Sequence, residues 1–255
     1  GGIRPDLGYS NSPLAFENLL LVTVGGHNGQ AVVAFDQKTG ERMWASHSDH
    51  NGYSSPITID AAGVQQTVFF TGTQAVSVAP ATGEIYWTYP WRTDSYENVS
   101  TPVFIPGDKI FLSSPHPKDK GSAVLQIGRS GNGLAVSPLW KNNAMKNHFS
   151  TSIYKDNYIY GTDRAILKCI DSRTGETMWR QRGFGEGTLI YADGHLIVLG
   201  TYGKLGLVEA THTAYREKAS AQILSGKCYT VPSLANGRLY VRNQREIVCL
   251  DFQQR

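Results

Sequence analysis

The sequence predicts an all-β protein of the β-propeller class, assembled from repeated four-stranded antiparallel sheets. A polar turn followed by a tryptophan recurs along the chain, as DQKTGERMW (36–44), PATGEIYW (80–87) and DSRTGETMW (171–179). A second motif, two short alternating strands around a tight turn, falls between these copies. The two motifs together repeat about every 40 residues, which is the length of one propeller blade.

The second motif occurs six times and supplies the first two strands of each repeat. Examples are FSTSIYKDNYIYGTD (149–163) and YTVPSLANGRLYVRN (229–243). Alternation of apolar and polar residues rich in Val, Ile, Tyr and Thr is typical of strands and excludes helical repeats. Asn, Asp or Gly between the two runs predicts a hairpin turn. We therefore expect one domain over residues 1–255, with repeats starting near residues 9, 53, 99, 149, 187 and 229.

The turn motif xTGxxxW predicts the end of each repeat. Thr and Gly form the hairpin turn between the third and fourth strands, because glycine accepts backbone conformations that other residues resist. The tryptophan then lies on the outer, fourth strand, where its large flat ring reaches the neighbouring blade. Four residues are predicted to dock one blade against the next in this way: Trp44, Trp87, Trp140 and Trp179.

Composition excludes several classes of function. The 24 basic and 21 acidic residues leave a net charge of only +3, and no basic stripe of the kind that binds nucleic acid is present. No apolar run approaches the roughly 20 residues that span a bilayer. Three cysteines are too few and too scattered for a disulfide framework. Cys169 and Cys249 occupy matching places in the repeat and are predicted to be small, buried strand residues.

The segments AFDQKTGERMW (34–44) and CIDSRTGETMW (169–179) resemble the repeat of the pyrroloquinoline-quinone-like (PQQ-like) β-propeller family. The sequence is most similar to the exported bacterial members of unassigned function, which implies a periplasmic or secreted protein. The resemblance identifies the fold far better than the activity, since the family contains both enzymes and non-enzymes.

The last repeat ends at DFQQR (251–255), directly after its third strand. It therefore lacks an outer strand, and an open sheet edge is unfavourable. Residues 1–8 form a poor substitute strand, because they include Pro5 and several glycines. Members of the family that this sequence resembles often carry eight blades. We therefore expect the C-terminal part of an eight-bladed propeller, with an irregularly closed ring of six blades as the alternative.

Candidate binding residues gather in the loops predicted at one face of the propeller, the mouth of the channel. This concentration of titratable and aromatic groups favours a small polar ligand or a protein partner. The segment KNNAMKNHFS (141–150) can supply a general base or an anion clamp, although hydrogen bonding to the loop backbone is the favoured alternative. The candidates are Tyr53, Asn98, Lys146, Asn147, His148, Asp163, Arg164, Glu186, Tyr229 and Arg242.

Catalytic and cofactor signatures are weak. By resemblance, a quinoprotein site uses adjacent cysteines, a calcium ion and a tryptophan under the quinone, and this chain has no adjacent cysteines. Trp91 is the remaining tryptophan, with Asp94 and Asn98 nearby. No histidine pair with a matching carboxylate recurs, so no metal site is predicted.

The sequence therefore favours a non-catalytic envelope protein that binds a small polar ligand or a protein partner at the channel face. No cofactor is expected. The alternative is an enzyme active on sugars or alcohols, with PQQ and calcium at the channel mouth. A third hypothesis is a scaffold that joins an envelope assembly through its blade edges.

Overall fold

The computed structural model describes residues 5–116, 118–119 and 121–253. These residues form 23 strands, and none of them is in a helix. The strands make six antiparallel sheets in which neighbours follow chain order. The chain divides into two compact units with the boundary between Asn143 and Ala144, and each unit contains three sheets. Nowhere in the described ranges is there a helix with the length and hydrophobicity that crossing a membrane requires.

The first unit contains three four-stranded sheets. The first sheet comprises β1 (Leu14–Phe16), β2 (Leu19–Thr23), β3 (Val32–Asp36) and β4 (Arg42–Ser46). The second comprises β5 (Ile57–Ala61), β6 (Val64–Phe70), β7 (Gln74–Val78) and β8 (Ile85–Pro90). The third comprises β9 (Val103–Ile105), β10 (Lys109–Ser113), β11 (Ser122–Ser130) and β12 (Gly133–Asn142).

The second unit contains two four-stranded sheets and one of three strands. The fourth sheet comprises β13 (Ile153–Lys155), β14 (Tyr158–Asp163), β15 (Ile166–Asp171) and β16 (Thr177–Arg182). The fifth comprises β17 (Thr188–Ala192), β18 (His195–Leu199), β19 (Lys204–Glu209) and β20 (Glu217–Gln222). The sixth comprises β21 (Ser233–Ala235), β22 (Arg238–Arg242) and β23 (Ile247–Asp251). The predicted all-β class and the repeating four-stranded sheet are confirmed.

The turn after the third strand is held by hydrogen bonds among its own residues. The Asp36 carboxylate accepts the backbone N–H groups of Lys38 and Thr39 at 2.9 and 2.8 Å. The Asp36 carbonyl accepts the Gly40 N–H at 2.9 Å, and Gly40 has a φ of +72°. Because all of these partners lie within four residues, the sequence motif alone specifies the turn.

The same turn recurs in the fourth sheet with an added ion pair. Asp171 accepts the Arg173 backbone N–H at 2.8 Å, and it also binds the Arg173 guanidinium through both carboxylate oxygens. These hydrogen bonds, the guanidinium first, hold the pKa of Asp171 below its ordinary value of 3.8. In the first sheet, the backbone N–H groups of Thr39 and Lys38 lower the pKa of Asp36. Both carboxylates are therefore anions in the folded protein at neutral pH.

Trp44 links the first sheet to the second. Its indole N–H donates to the Pro80 carbonyl at 3.1 Å, and Pro80 lies in the turn between β7 and β8. The Trp44 ring covers Gly83 in the same turn, so closely that a Cβ on Gly83 would lie 2.5 Å from it. This is the contact expected of a docking tryptophan: the ring packs on the neighbouring turn while its N–H binds a backbone carbonyl there.

Trp179 links the fourth sheet to the fifth in the same manner. Its indole N–H donates to the Thr211 carbonyl at 2.7 Å, and Thr211 lies in the connection between β19 and β20. Tyr215 meets the indole edge-on with a centroid separation of 5.7 Å. The turn of the fifth sheet has lost the TG motif, yet its backbone still supplies the acceptor that the tryptophan needs.

Trp87 differs from this pattern in the partner of its N–H, and the docking of Trp140 stays a prediction. Trp87 is buried in a core cluster that includes Ile110 and Leu125 of the third sheet, but its N–H donates to Gln66 of its own sheet at 2.7 Å. The third sheet offers no xTGx turn, because β11 and β12 run on to a two-residue hairpin between Ser130 and Gly133. Trp140 is half-buried and lies 6.2 Å from the ring of Phe111 in its own sheet.

The predicted burial of Cys249 is wrong, whereas the prediction holds for Cys169. Cys169 and Cys228 are buried and Cys249 is exposed. Cys169 lies between Tyr160 on β14 and Trp179 on β16. Cys249 has a strand neighbour on one side, where it pairs with Tyr240. The exposure follows from the fourth strand that the sixth sheet lacks among the described residues.

We expect Gly83→Ala to destabilise the protein more than Gly40→Ala. Both glycines have a positive φ, +77° and +72°, so a side chain costs about 1–2 kcal/mol at either position. Nothing lies within 4 Å of a Cβ at Gly40, whereas a Cβ at Gly83 collides with the Trp44 ring, which adds about 1–3 kcal/mol. Urea unfolding measures the difference, and equal losses would contradict the Trp44 docking contact.

We expect Asp171→Asn to change the acid sensitivity of the protein. Because the pKa of Asp171 is lowered in the folded state, its contribution to stability is complete above its ordinary pKa of 3.8 and disappears as the pH falls through the lower folded value. At pH 7 the substitution should lower the free energy of unfolding by about 1 kcal/mol. This difference should shrink towards about pH 2. Asp60→Asn, at an exposed residue of β5, is the control, and a difference independent of pH would refute the assignment.

Candidate functional site

Three loops of the second unit meet, and each of them precedes the first strand of a sheet. His148 and Phe149 precede β13, Glu186 precedes β17, and Lys227 and Tyr229 precede β21. We call these five side chains the loop cluster. Their sequence positions span three repeats, so the cluster exists only because successive repeats lie side by side.

The loop cluster is built on contacts between rings and charges. His148 Nδ1 lies 3.1 Å from Glu186 Oε2. The Phe149 ring stacks on the His148 imidazole with a centroid separation of 3.6 Å, and its centroid lies 4.8 Å from that of Tyr229. Lys227 Nζ lies 5.9 Å from the centroid of the Tyr229 ring. An aromatic pair is thus bordered by a carboxylate on one side and an ammonium group on the other.

The two aromatic rings are unusually exposed for their size. Phe149 is 37% exposed and Tyr229 is 38% exposed, whereas large apolar side chains are mostly buried in folded proteins. The adjacent His148 and Glu186 side chains are 20% and 35% exposed. Large rings with a polar border are the composition found at protein–protein contact points.

Sequence reasoning found three members of the loop cluster and missed two. His148, Glu186 and Tyr229 were predicted as binding residues, and the structure brings them together. Phe149 and Lys227 were not predicted. The signal was available for Phe149, an aromatic residue in the same polar loop as His148, but the proximity of Lys227 to Tyr229 depends on how the last loop folds.

Two predicted binding residues, Asn98 and Asn147, are fully buried. The Asn147 amide donates to the Thr162 carbonyl at 3.0 Å and accepts the Ser152 hydroxyl at 2.9 Å. The Asn98 amide donates to the Thr71 carbonyl at 2.7 Å. For Asn147 this geometry matches the alternative that the sequence favoured, in which the side chain holds the loop backbone, and Asn98 makes the same kind of contact. Asn147 positions His148 and Phe149, which follow it in the chain.

The predicted binding residue Asp163 belongs to a buried ion pair beside the same loop, whereas Arg164 is exposed. Asp163 pairs with Lys168, and each of these side chains is 11% exposed. Lys168 also donates to the Ala144 carbonyl at 2.8 Å. The Arg164 backbone N–H donates to the Lys146 carbonyl at 3.3 Å. A buried ion pair with a third partner favours a structural role, because separating the charges is costly. It ties the start of the loop that carries His148 to β14 and β15.

Arg242 is exposed. No contact among the described residues joins it to the loop cluster. Its guanidinium donates to the Asn243 carbonyl at 3.5 Å. Asn243 is the residue that organises this turn, since its amide oxygen accepts the backbone N–H groups of Arg245 and Glu246 at 2.7 and 2.8 Å. The predicted binding role of Arg242 stays a prediction.

The first unit places Tyr53 in a cavity of its own. This cavity of 260 Å³ is lined by Tyr53, His50, Asn51 and Tyr96, among others. The His50 and Tyr96 rings stack with centroids 3.9 Å apart and also border a second cavity of 420 Å³. Asn51 is 3% exposed, and neither atom of its amide has a partner in the described part of the chain. Sequence reasoning singled out Tyr53 and missed Asn51.

The side chains implied for a quinone and calcium site do not fit that cofactor. Trp91 is 2% exposed, and its indole N–H donates to the Ser114 hydroxyl at 2.7 Å. Because the ring is buried, its face cannot stack against a quinone. Asp94 lies 3.4 Å from Lys118, an arrangement that disfavours a cation. The Asn98 amide is engaged with backbone carbonyls. These groups are used in packing and pairing.

Comparison with known proteins adds a family and a fold. The family model described as the outer membrane protein assembly factor BamB matches residues 6–181 and 163–254. The crystal structure of BamB from Moraxella catarrhalis is similar with a TM-score of 0.70 and 14% identity, covering 95% of this chain and 69% of that chain. Sqt1 from Saccharomyces cerevisiae is similar with a TM-score of 0.62 and 10% identity, covering 92% and 69%.

The search of curated proteins gives no significant match. At identities this low, the likeness to solved structures shows the fold alone. The family model and this likeness in fold together confirm the predicted PQQ-like β-propeller class.

We expect the purified chain to retain no pyrroloquinoline quinone when the quinone and calcium are added together. The reason is that Trp91, Asp94 and Asn98 are committed to other contacts. The check is the absorbance spectrum after gel filtration, together with dye-linked oxidation of alcohols and sugars. One bound quinone per chain would contradict the expectation.

Proposed function

The chain belongs to the family of the outer membrane protein assembly factor BamB, and from that premise we propose that it is a protein-binding scaffold of the bacterial envelope. The loop cluster is the contact surface in this proposal. The family description names an assembly factor, a role carried out by binding other proteins. The same premise supports a periplasmic location in this proposal.

The observation that carries the proposal is the exposed pair of rings, Phe149 and Tyr229. Truncating an aromatic hot-spot residue at an interface costs about 2 kcal/mol or more of binding free energy, that is, about 30-fold in affinity. Glu186 and Lys227 border the pair with opposite charges, and such borders select partners and orient them. The chemistry suits a partner segment with an apolar anchor between a basic and an acidic residue.

A protein partner is favoured over a small ligand because the cluster is an open surface. Small-molecule sites bury most of their ligand in a concave cavity, whereas the rings of Phe149 and Tyr229 are each more than a third exposed. His148 is engaged with both Glu186 and Phe149. This arrangement favours a fixed recognition element over a proton-transfer group, which must reach a substrate.

The test is photo-crosslinking at the loop cluster in the native envelope. A photoreactive phenylalanine analogue at position 229 should give a crosslinked partner, and Phe149→Ala in the same chain should reduce that product about 30-fold. The matched control places the same analogue at Met178, which is 40% exposed on β16. Equal crosslinking at positions 229 and 178, or a product unaffected by Phe149→Ala, would overturn the proposal.

A further inference from the structure

Two neighbouring cavities of the first unit contain groups that the proposed function does not use. They have volumes of 260 and 420 Å³ and share the rings of His50 and Tyr96 in their linings. We call them the paired cavities. The larger one is formed by loops of all three sheets of this unit, and its lining residues fall between His27 and Lys118. Its volume is in the range of sites that enclose a small molecule.

Asn51, in the lining of the smaller cavity, carries a buried amide without a partner. The residue is 3% exposed, and neither the oxygen nor the nitrogen of its amide has a hydrogen-bond partner among the described residues. An unpaired buried amide is unfavourable. In a native structure it therefore points to a partner from outside the chain.

The matching residue of the fourth sheet, Asn147, shows why this amide is unpaired. The segments NGYSSP (51–56) and NHFSTS (147–152) each lie directly before the first strand of a sheet. The Asn147 amide oxygen accepts the Ser152 hydroxyl at 2.9 Å. Pro56 stands at the position of Ser152 and has no hydrogen to donate. The amide oxygen of Asn51 thus lacks the donor that satisfies its counterpart.

The loop that carries Asn51 is nevertheless held in place. The Asp49 carboxylate accepts the Thr73 hydroxyl and the His50 backbone N–H, each at 2.8 Å. The His50 carbonyl in turn accepts the Gly72 N–H at 2.9 Å. Because these bonds anchor the residues directly before Asn51, its amide is positioned before any ligand arrives, which lowers the entropic cost of binding.

Thr93, in the larger cavity, is a second buried group of this kind. It lines that cavity, it is 4% exposed, and its hydroxyl has no hydrogen-bond partner in the described ranges. An amide and a hydroxyl can each donate and accept hydrogen bonds without carrying a charge. Together they match a ligand that is rich in neutral polar groups.

The lining of the larger cavity also favours a neutral polar ligand. Each of its ten described lining residues has a polar side chain, and contact with an apolar ligand would cost these groups their hydration. Two carboxylates, Asp49 and Asp94, balance the two cationic groups of Arg92 and Lys118. The cavity therefore has no net charge with which to select an ion.

Tyr96 supplies a flat surface at the border of both cavities. Its ring stacks on the His50 imidazole with a centroid separation of 3.9 Å and an interplanar angle of 11°, and the residue is still 42% exposed. A sugar ring can pack its C–H face on an aromatic ring while its hydroxyls bind polar neighbours.

We propose that the paired cavities bind a neutral saccharide. A sugar ring packs on Tyr96, and hydroxyl groups of the saccharide exchange hydrogen bonds with Thr93 in the larger cavity and Asn51 in the smaller one. The paired cavities belong to the first unit and the loop cluster to the second, so this proposal does not rest on the proposed function.

An amide NMR titration of the full chain tests the proposal, with cellobiose, maltose and N,N′-diacetylchitobiose as probes. At least one of these neutral disaccharides should bind at concentrations up to about 10 mM and shift the amide signals of residues 48–53 and 92–96. Inorganic phosphate at the same concentration should not shift these signals, because the lining charges balance.

Thr93→Val and Thr162→Val form a matched pair of variants. Thr93→Val removes a hydroxyl that has no described partner. It should weaken saccharide binding about fivefold without lowering the free energy of unfolding. Thr162→Val removes a buried hydroxyl of the second unit that donates to the Gly187 carbonyl at 3.2 Å. It should destabilise the protein and leave the saccharide affinity unchanged.

Two further variants test the other contacts. Asn51→Ala should weaken saccharide binding about fivefold through the lost hydrogen bonds. Tyr96→Ala should weaken it about tenfold, because the sugar ring then loses the apolar surface on which it packs. Tyr96→Phe keeps the ring and should retain most of the affinity.

Three results would rule out a saccharide site. The first is that none of the three disaccharides shifts the named signals up to about 10 mM. The second is that phosphate shifts these signals more strongly than any disaccharide, which would identify an anion site. The third is that Thr93→Val destabilises the ligand-free protein and leaves saccharide binding intact. None of these results would alter the crosslinking expected at position 229.

Discussion

The structure depends on the contact between an aromatic residue of one sheet and the backbone of the next sheet's turn. Trp44 and Trp179 make this contact in the two units, through the Pro80 and Thr211 carbonyls. A four-stranded sheet cannot bury both of its faces alone, so each repeat is stable only against its neighbours. The indole combines a large apolar ring with one directed N–H, and it therefore fixes both the separation and the register of adjacent sheets.

Once adjacent sheets are fixed, the loops that precede their first strands have little freedom. Asn98 and Asn147 restrict the loops further. Their buried amides donate hydrogen bonds to backbone carbonyls at the ends of second strands. The residues that follow Asn147, namely His148 and the exposed Phe149, are thereby presented from a rigid base. The candidate site is a consequence of packing: loops from three repeats converge, and their side chains meet.

Sequence reasoning succeeded where the determining contacts are local or periodic. Alternation indicated the strands, and the Asp36 turn was readable because its hydrogen bonds join residues at most four positions apart. It was less successful with side-chain roles. Asn147 and Asp163 have the polarity expected of binding residues, yet both are buried among structural partners. Burial depends on which segments pack over a residue, and a repeat motif does not specify those segments.

By itself, the sequence determined the repeat, the order of strands within each sheet and the turns, because each of these is set by interactions inside a window of a few residues or by a regular spacing. Only the tertiary structure decided which side chains meet and which stay exposed. His148 and Glu186 are 38 residues apart in sequence and 3.1 Å apart in space. Cys169 and Cys249 occupy the same motif, but a fourth strand pairs with the first and no described strand covers the second. Burial depends on the presence of a neighbouring strand, so similar local sequences can have opposite exposure.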